Sequence, residues 1–203
     1  VINVGSGQTY YSMLRVHSSV KCVGANRLVL KAHSVAFLAD AMLGSIARKL
    51  RIFGFDTLYV AHAHDNEILK MGIDQNRVIL TADKELFKRI VKAGTRGVLV
   101  SCSSDAEDLV HILSKNGITS IDLNGIGSRC SICNGLLIGR TPVQVKNPIP
   151  DKVAACHSEF FQCVDCSKVY WEGGHLRRIR ALAKSVDSKL GRPPLQLKKK
   201  TKG

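Results

Sequence analysis

The chain has 203 residues, 45% of them hydrophobic, which suits one medium domain with a small module, or two small domains, with a real core. Its apolar runs extend only a few residues, far short of the roughly 18 that span a bilayer, and the first residues lack the basic region and apolar block of a signal peptide, so a cytoplasmic protein with no membrane partner is expected. Lys and Arg number 30 against 16 Asp and Glu, a net charge of +14; from Arg177 onward ten basic residues face one acid, Asp187, so that stretch alone carries +9. Such density at one end points to a polyanion held through counterion release at phosphates, and the lack of an aromatic and aliphatic face puts nucleic acid ahead of a membrane surface.

Residues 1–34 carry Gly and Ser between short apolar pieces such as residues 27–31, compatible with a small hairpin or an arm on a partner, and their function is not legible. From Val35 the pattern becomes regular. VAFLA reads as a strand, and AMLGSIARKLRIFG as a helix, with Met42, Leu43, Ile46, Leu50 and Phe53 at helical spacing and Gly54 as a stop. TLYVA, RVILTA and GVLVS read as further strands, with NEILKMGI and KELFKRIVKAG as the helices between them, and DAEDLVHILSKNG as a helix closed by Asn116 and Gly117. Alternating strands and helices with short links imply a parallel sheet covered by helices through right-handed crossovers.

Three of the strands deliver an acid to the same edge: Asp40 after the first, Asp65 after the second and Asp83 after the third. Singly, each is accounted for as a helix N-cap, whose carboxylate takes up orphan N–H groups. Together they can converge, because the carboxyl ends of parallel strands line up beside the crevice at a topological switch point. Clustered carboxylates repel unless a cation sits among them, and Mg²⁺ or Mn²⁺ suits hard oxygen ligands. The matching chemistry is metal-assisted phosphodiester cleavage.

The seven cysteines separate by spacing. Cys130 with Cys133, and Cys163 with Cys166, form two Cys-x2-Cys pairs that together can close a tetrahedral zinc site, preferred over two redox motifs or buried thiols. Asn134 and Gly135 after the first pair, and Ser167 after the second, are the small or turn-forming residues that a metal knuckle wants. Four sulfur ligands leave no open position for water, so this zinc is read as structural.

The stretches FLADAMLGSIARKLRIFGFDTLYV, HDNEIL, RVILTADKEL, RCSICNG, CVDCSKVYW and EGGH, within Val35 to His175, resemble the PIN-like ribonuclease domain named after the C-terminal part of the Mut-seven exonuclease, with its attached zinc ribbon. That resemblance implies a three-layer α/β/α sandwich with a parallel sheet over residues 35–127 and a small zinc ribbon over 128–176; the N-terminal extension of residues 1–34 and the basic C-terminal tail over 177–203 fall outside it. It also implies an Mg²⁺- or Mn²⁺-dependent endoribonuclease with Asp40, Asp65 and Asp83 as catalytic metal-binding carboxylates and Cys130, Cys133, Cys163 and Cys166 as zinc ligands. Sites of this type often use a fourth acid; Asp105, Glu107 and Asp108 are the candidates, with Asp105 taken first.

Other residues are open to two readings. Thr81 can hydrogen-bond a carboxylate or phosphate, or reflect β-propensity alone. Arg48, Lys49 and Arg51 can line a path for an RNA backbone or form a solvated helix face. Tyr170 and Trp171 can stack bases or pack over the metal site. His62, His64 and His175 have no ligand spacing to the cysteines. Arg177, Arg178, Lys198, Lys199 and Lys200 are the expected RNA-phosphate contacts, the end from Gly191 being read as an extended arm that orders on RNA. The partner is then RNA, with ribosomal RNA or the ribosome included, and a non-catalytic ribosome-associated protein on the same scaffold is the alternative.

Overall fold

A computed structural model describes residues 35–121, 128–145 and 149–190. Four strands, β1 (Phe37–Ala39), β2 (Thr57–Tyr59), β3 (Val78–Thr81) and β4 (Gly97–Leu99), form a parallel sheet in the order β2-β1-β3-β4. Phe37, Leu38 and Ala39 of β1 are fully buried, as a central parallel strand covered on both faces requires.

Helices α1 (Gly44–Ile52) and α4 (Asp105–Lys115) cover one face, where Phe37, Leu50, Phe55, Leu80 and Leu109 share a core. Helices α2 (Asp65–Asp74) and α3 (Lys84–Lys92) cover the other, where Ile68, Leu86 and Ile90 pack on Leu38 and Ile79. The result is the helix-covered parallel sheet expected from the alternation, in the α/β/α sandwich that the resemblance implies. Because α1 and α3 leave the sheet on opposite faces, the switch point of this order falls between β1 and β3.

A second sheet is antiparallel: β5 (Leu137–Arg140), β6 (Phe160–Cys163) and β7 (Val169–Trp171) in that order, with the short helix α5 (Asp151–Cys156) before β6. This ribbon is bolted to the first domain by Arg51, a 6% exposed side chain whose Nη1 donates to the carbonyls of Ser131 and Ile132, each at 3.0 Å, while its Nε donates to Thr57 O at 2.8 Å. Asn134 adds a second bolt: its Oδ1 accepts from Thr57 N–H at 3.1 Å and its Nδ2 donates to Asp56 at 2.8 Å.

The basic stretch from Arg177 divides in two. Residues up to Leu190 belong to α6 (Gly174–Leu190), which returns from the ribbon to the first domain and buries Ile179, Ala183, Val186 and Leu190 in the core shared with α4. Asp187, the lone acid of that stretch, accepts from the Ile121 N–H at 2.7 Å. The high charge density of the stretch masks an apolar spacing of Leu176, Ile179, Ala183, Val186 and Leu190 that marks a docked helix rather than a free tail. Residues 191–203 and 1–34, with the readings made for them, lie outside the described residues. None of the described helices is long and apolar enough to cross a membrane.

Candidate active site and zinc ribbon

Asp40 follows β1 directly and is 6% exposed. Its backbone N–H donates to Leu80 O of β3 at 3.1 Å, and its carboxylate caps the following 3-10 turn by accepting from Met42 N–H at 3.1 Å. Thr81, at the end of β3, is fully buried; its hydroxyl donates to the second Asp40 oxygen and accepts from the Asp83 N–H at 2.9 Å. One hydroxyl thus laces the ends of the two central strands together across the switch point. Asp83 caps α3, its Oδ1 accepting from Glu85 N–H at 2.7 Å and Leu86 N–H at 3.3 Å, while its Oδ2 makes no hydrogen bond among the described residues.

Asp65 is placed differently. It opens α2 and pairs with Arg89 of α3 at 2.8 Å, with about two fifths of each side chain exposed. No hydrogen bond joins it to Asp40 or Asp83 among the described residues. The preceding His64 supplies the N-cap and the N–H end of a capping box with Glu67.

The candidate fourth acids also separate. Asp105 forms an ion pair with Lys49 of α1 at 2.9 Å and is half exposed. Glu107 answers Ser104 at the start of α4. Asp108 is 4% exposed and accepts from the Ser101 hydroxyl at 3.0 Å. Cys102, held at a φ of 56°, sits within the field of two acids: partial burial, then the charges of Asp108 and Asp40, push its thiol above the ordinary value. Asp108 lies one turn along α4 from Asp105, on the buried face of that helix with Leu109 and Ile112.

In the ribbon, the Sγ atoms of Cys130, Cys133, Cys163 and Cys166 all lie within 4.8 Å of one another. Zinc at about 2.3 Å from each sulfur implies sulfur–sulfur edges of about 3.8 Å, so the cluster fits a four-sulfur zinc ion. Among the described residues these cysteines are the one group of three or more metal-binding side chains gathered this closely; the aspartates are not. The knuckle turns behave as their residue types suggested, with Asn134 at φ 71° and Ser167 at φ 61°. A Cβ on Gly135 would fall 2.8 Å from Cys163 Sγ, so only glycine fits there.

Tyr170 packs over this site, its hydroxyl 3.1 Å from Cys130 Sγ and 3.2 Å from Ser131 Oγ. Burial raises the Cys130 thiol, but hydrogen bonds from Tyr170 and from the Cys133 and Ile132 N–H groups outweigh it and bring the pKa down to about 6. Burial and the neighbouring sulfurs push Cys166 up to about 12. Zinc binds these sulfurs as thiolates, so loading the site releases their protons.

The α1 cations, read as one group from the sequence, have three fates. Arg51 is the buried bolt, Lys49 pairs with Asp105, and Arg48 is exposed with no ion pair among the described residues.

Fold and site define a parallel α/β/α domain with acids laced at its switch point, joined to a four-cysteine zinc ribbon. The family profile described as Mut7-C RNAse domain matches residues 35–183, and the chain belongs to that family. No curated protein and no solved structure matches the chain.

Proposed function

We propose that the protein is a divalent-metal-dependent endoribonuclease that cuts single-stranded RNA at the Asp40 edge of the parallel sheet. The observation that carries the reading is the Asp40–Thr81–Asp83 lacing: a buried carboxylate fixed by two donors, one of which also holds the backbone N–H of Asp83, at the place where parallel sheets bind ligands. Membership of an RNAse-domain family supports RNA as the substrate.

The donor set is made of hard oxygens, which suits Mg²⁺ or Mn²⁺, and its openness suits an ion that keeps several waters and takes one or two carboxylates besides phosphate oxygens. When bound, such an ion activates water and stabilises charge on the phosphorus oxygens. Asp40 and Asp83 would hold it, with Asp108 as the fourth acid in place of the ion-paired Asp105, and with Asp65 reaching it only by giving up Arg89. Thr81 is a positioning residue, keeping the Asp40 carboxylate in one orientation while it fixes the backbone that carries Asp83. Arg177 and Arg178, both exposed on α6, and Lys198, Lys199 and Lys200 beyond it, would add phosphate contacts.

The test is cleavage of labelled, unstructured RNA with Mg²⁺, Mn²⁺ or chelator, for the wild type and Asp40→Asn, beside a melting curve for each. Metal-dependent cutting that Asp40→Asn abolishes without unfolding the chain supports the reading. RNA that is bound but never cut, whatever the metal, moves the assignment to a non-catalytic RNA- or ribosome-binding protein.

A further inference from the structure

Between α1, the ribbon and the start of α6 lies a cleft of about 960 Å³. Among the described residues its lining includes Arg48, Arg129 and Lys168, the rings of Tyr59 and Trp171, and His175, and no Asp or Glu. Arg48 and Lys168 are exposed and make no side-chain hydrogen bond or ion pair among the described residues, and the buried Nε of Arg129 has no partner. Arg180, also in the lining, pairs with Glu172, whereas Arg48 and Lys168 stand free among the described residues, beside aromatic rings and an apolar floor that includes Ile52, Leu137 and Phe161, a composition that suits a groove tracking phosphates and stacking bases.

The cleft begins beside the acids. Gly44, which opens α1 four residues after Asp40, is part of its lining, and the Tyr59 ring lies over it: a Cβ on Gly44 would come 3.1 Å from Tyr59 Cζ. The Tyr59 hydroxyl donates to Ala41 O at 3.0 Å, one residue past Asp40. The near end of the cleft therefore lies by the turn that follows Asp40, and its lining runs by Tyr59 and Arg48 to Trp171 on β7. Residues 191–203 of this chain carry Arg192, Lys198, Lys199, Lys200 and Lys202, and residues 1–34 carry Arg15, Lys21, Arg27 and Lys31, both without an acid, the wrong charge for a cationic groove.

We infer that this cleft is the seat of the unpaired RNA flank next to the scissile bond, with Trp171 as a base-stacking platform and Arg48 and Lys168 as phosphate contacts. The inference rests on the nuclease reading for the direction of the strand, though not for the binding itself. It selects single-stranded over duplex RNA, because a base is free to stack on a protein ring only when unpaired. It also gives the ribbon a role: with its zinc it holds the second wall of the substrate path.

The chain contains one tryptophan, so intrinsic emission reports this cleft directly. The experiment titrates the zinc-loaded full chain carrying Asp40→Asn with unstructured single-stranded RNA, a duplex of the same sequence, and an oligoglutamate peptide as a polyanion control. Saturable quenching by the single strand alone is expected. Arg48→Glu with Lys168→Glu should weaken that binding about tenfold or more and lower the slope of log affinity against log salt by about 1. RNA binding that leaves Trp171 emission unmoved overturns the inference, a readout that needs no variant in the cleft. Equal quenching by duplex or by oligoglutamate overturns it too. The two readings fail separately: quenching by single-stranded RNA in a chain that never cuts removes the nuclease and keeps the cleft, whereas Asp40-dependent cutting with silent emission does the reverse.

Discussion

The carboxyl edge of the parallel sheet and the knuckles of the ribbon both gather metal-binding side chains, but in opposite ways. At the sheet edge each acid has an ordinary structural role, since Asp40 and Asp83 cap the turn or helix behind them and Asp65 pairs with Arg89. The core beneath them is built from apolar side chains, with Phe37, Leu38, Leu80 and Leu50 fully buried. In the ribbon the four sulfurs crowd one point, and of the hydrophobic side chains in its three short strands Phe160 alone is fully buried beside Cys163 at 2%. A metal at the sheet edge is therefore a ligand of a finished fold, whereas a metal in the ribbon is part of the folding free energy.

The largest way to break that contrast is to remove a sulfur. Cys130→Ser or Cys163→Ser should abolish zinc retention and unfold the ribbon, since structural zinc in small modules supplies about 10–16 kcal/mol. Metal analysis together with Trp171 emission reads the ribbon, and far-ultraviolet circular dichroism reads the helices of the first domain, which should persist. A ribbon that survives with no zinc bound would erase the distinction.

Next comes the acid edge. Asp40→Asn should lower metal-dependent RNA cleavage by about 100-fold or more, while stability moves by less than about 1 kcal/mol because Asn caps as well as Asp. Asp108, the buried acid at the start of α4, should act in the same direction, Asp108→Asn lowering cleavage as well. Thr81→Val should cost about 1–3 kcal/mol, because the Asp83 N–H loses its buried acceptor, and should reduce cleavage with it. Cleavage rates and melting curves on the same preparations check all three.

The two regions are also unequally legible in the sequence. Strands and helices from Phe37 to Lys115 fall where apolar runs, periodicity and glycine stops put them, because each local signal agrees with its place in the sandwich. The cysteine site is readable from spacing alone, since a Cys-x2-Cys turn sets ligand geometry locally. What the acids do is not, because convergence depends on strand order: β1 and β3 are neighbours, so Asp40 meets Thr81 and Asp83, whereas Asp65 follows the edge strand β2 and meets Arg89. Helix α6 escapes a sequence reading because its apolar positions are scattered among Arg and Lys.

The joint between the regions offers a smaller effect with a pH sign. Burial alone would raise the Asp56 carboxyl, but hydrogen bonds from Arg77 and from Asn134 of the ribbon outweigh it and hold the pKa below the ordinary 3.8. A carboxyl depressed in the folded state stabilises above its unfolded pKa, and that contribution fades as pH falls through the folded one. Acid should therefore loosen the joint below about pH 4. Asp56→Asn should cost about 1 kcal/mol near neutrality, the Arg77 pair being partly solvated, and should flatten the acid limb of the stability curve. Melting temperature against pH for both chains gives the answer, and parallel curves would assign the joint to Arg51 and Asn134 alone.

The smallest expected effect is the most specific test of the acid edge. Asp105 is taken first among three acids that the sequence does not separate, Asp105, Glu107 and Asp108, yet its carboxylate is half exposed and engaged by Lys49, with Ser45 at 3.5 Å. An exposed pair of this kind contributes about 0–1 kcal/mol, and Asn at the first position of α4 leaves the Ser104 cap in place. Asp105→Asn should therefore change stability by about 0.5 kcal/mol or less and leave cleavage at the wild-type rate, where Asp108→Asn loses it. The pair of variants differs by one turn of one helix, so composition and net charge are matched and only position is tested. Loss of cleavage in Asp105→Asn with Asp108→Asn unaffected would return the fourth acid to the position nearest the strand, and would require Lys49 to leave its partner when RNA and metal bind.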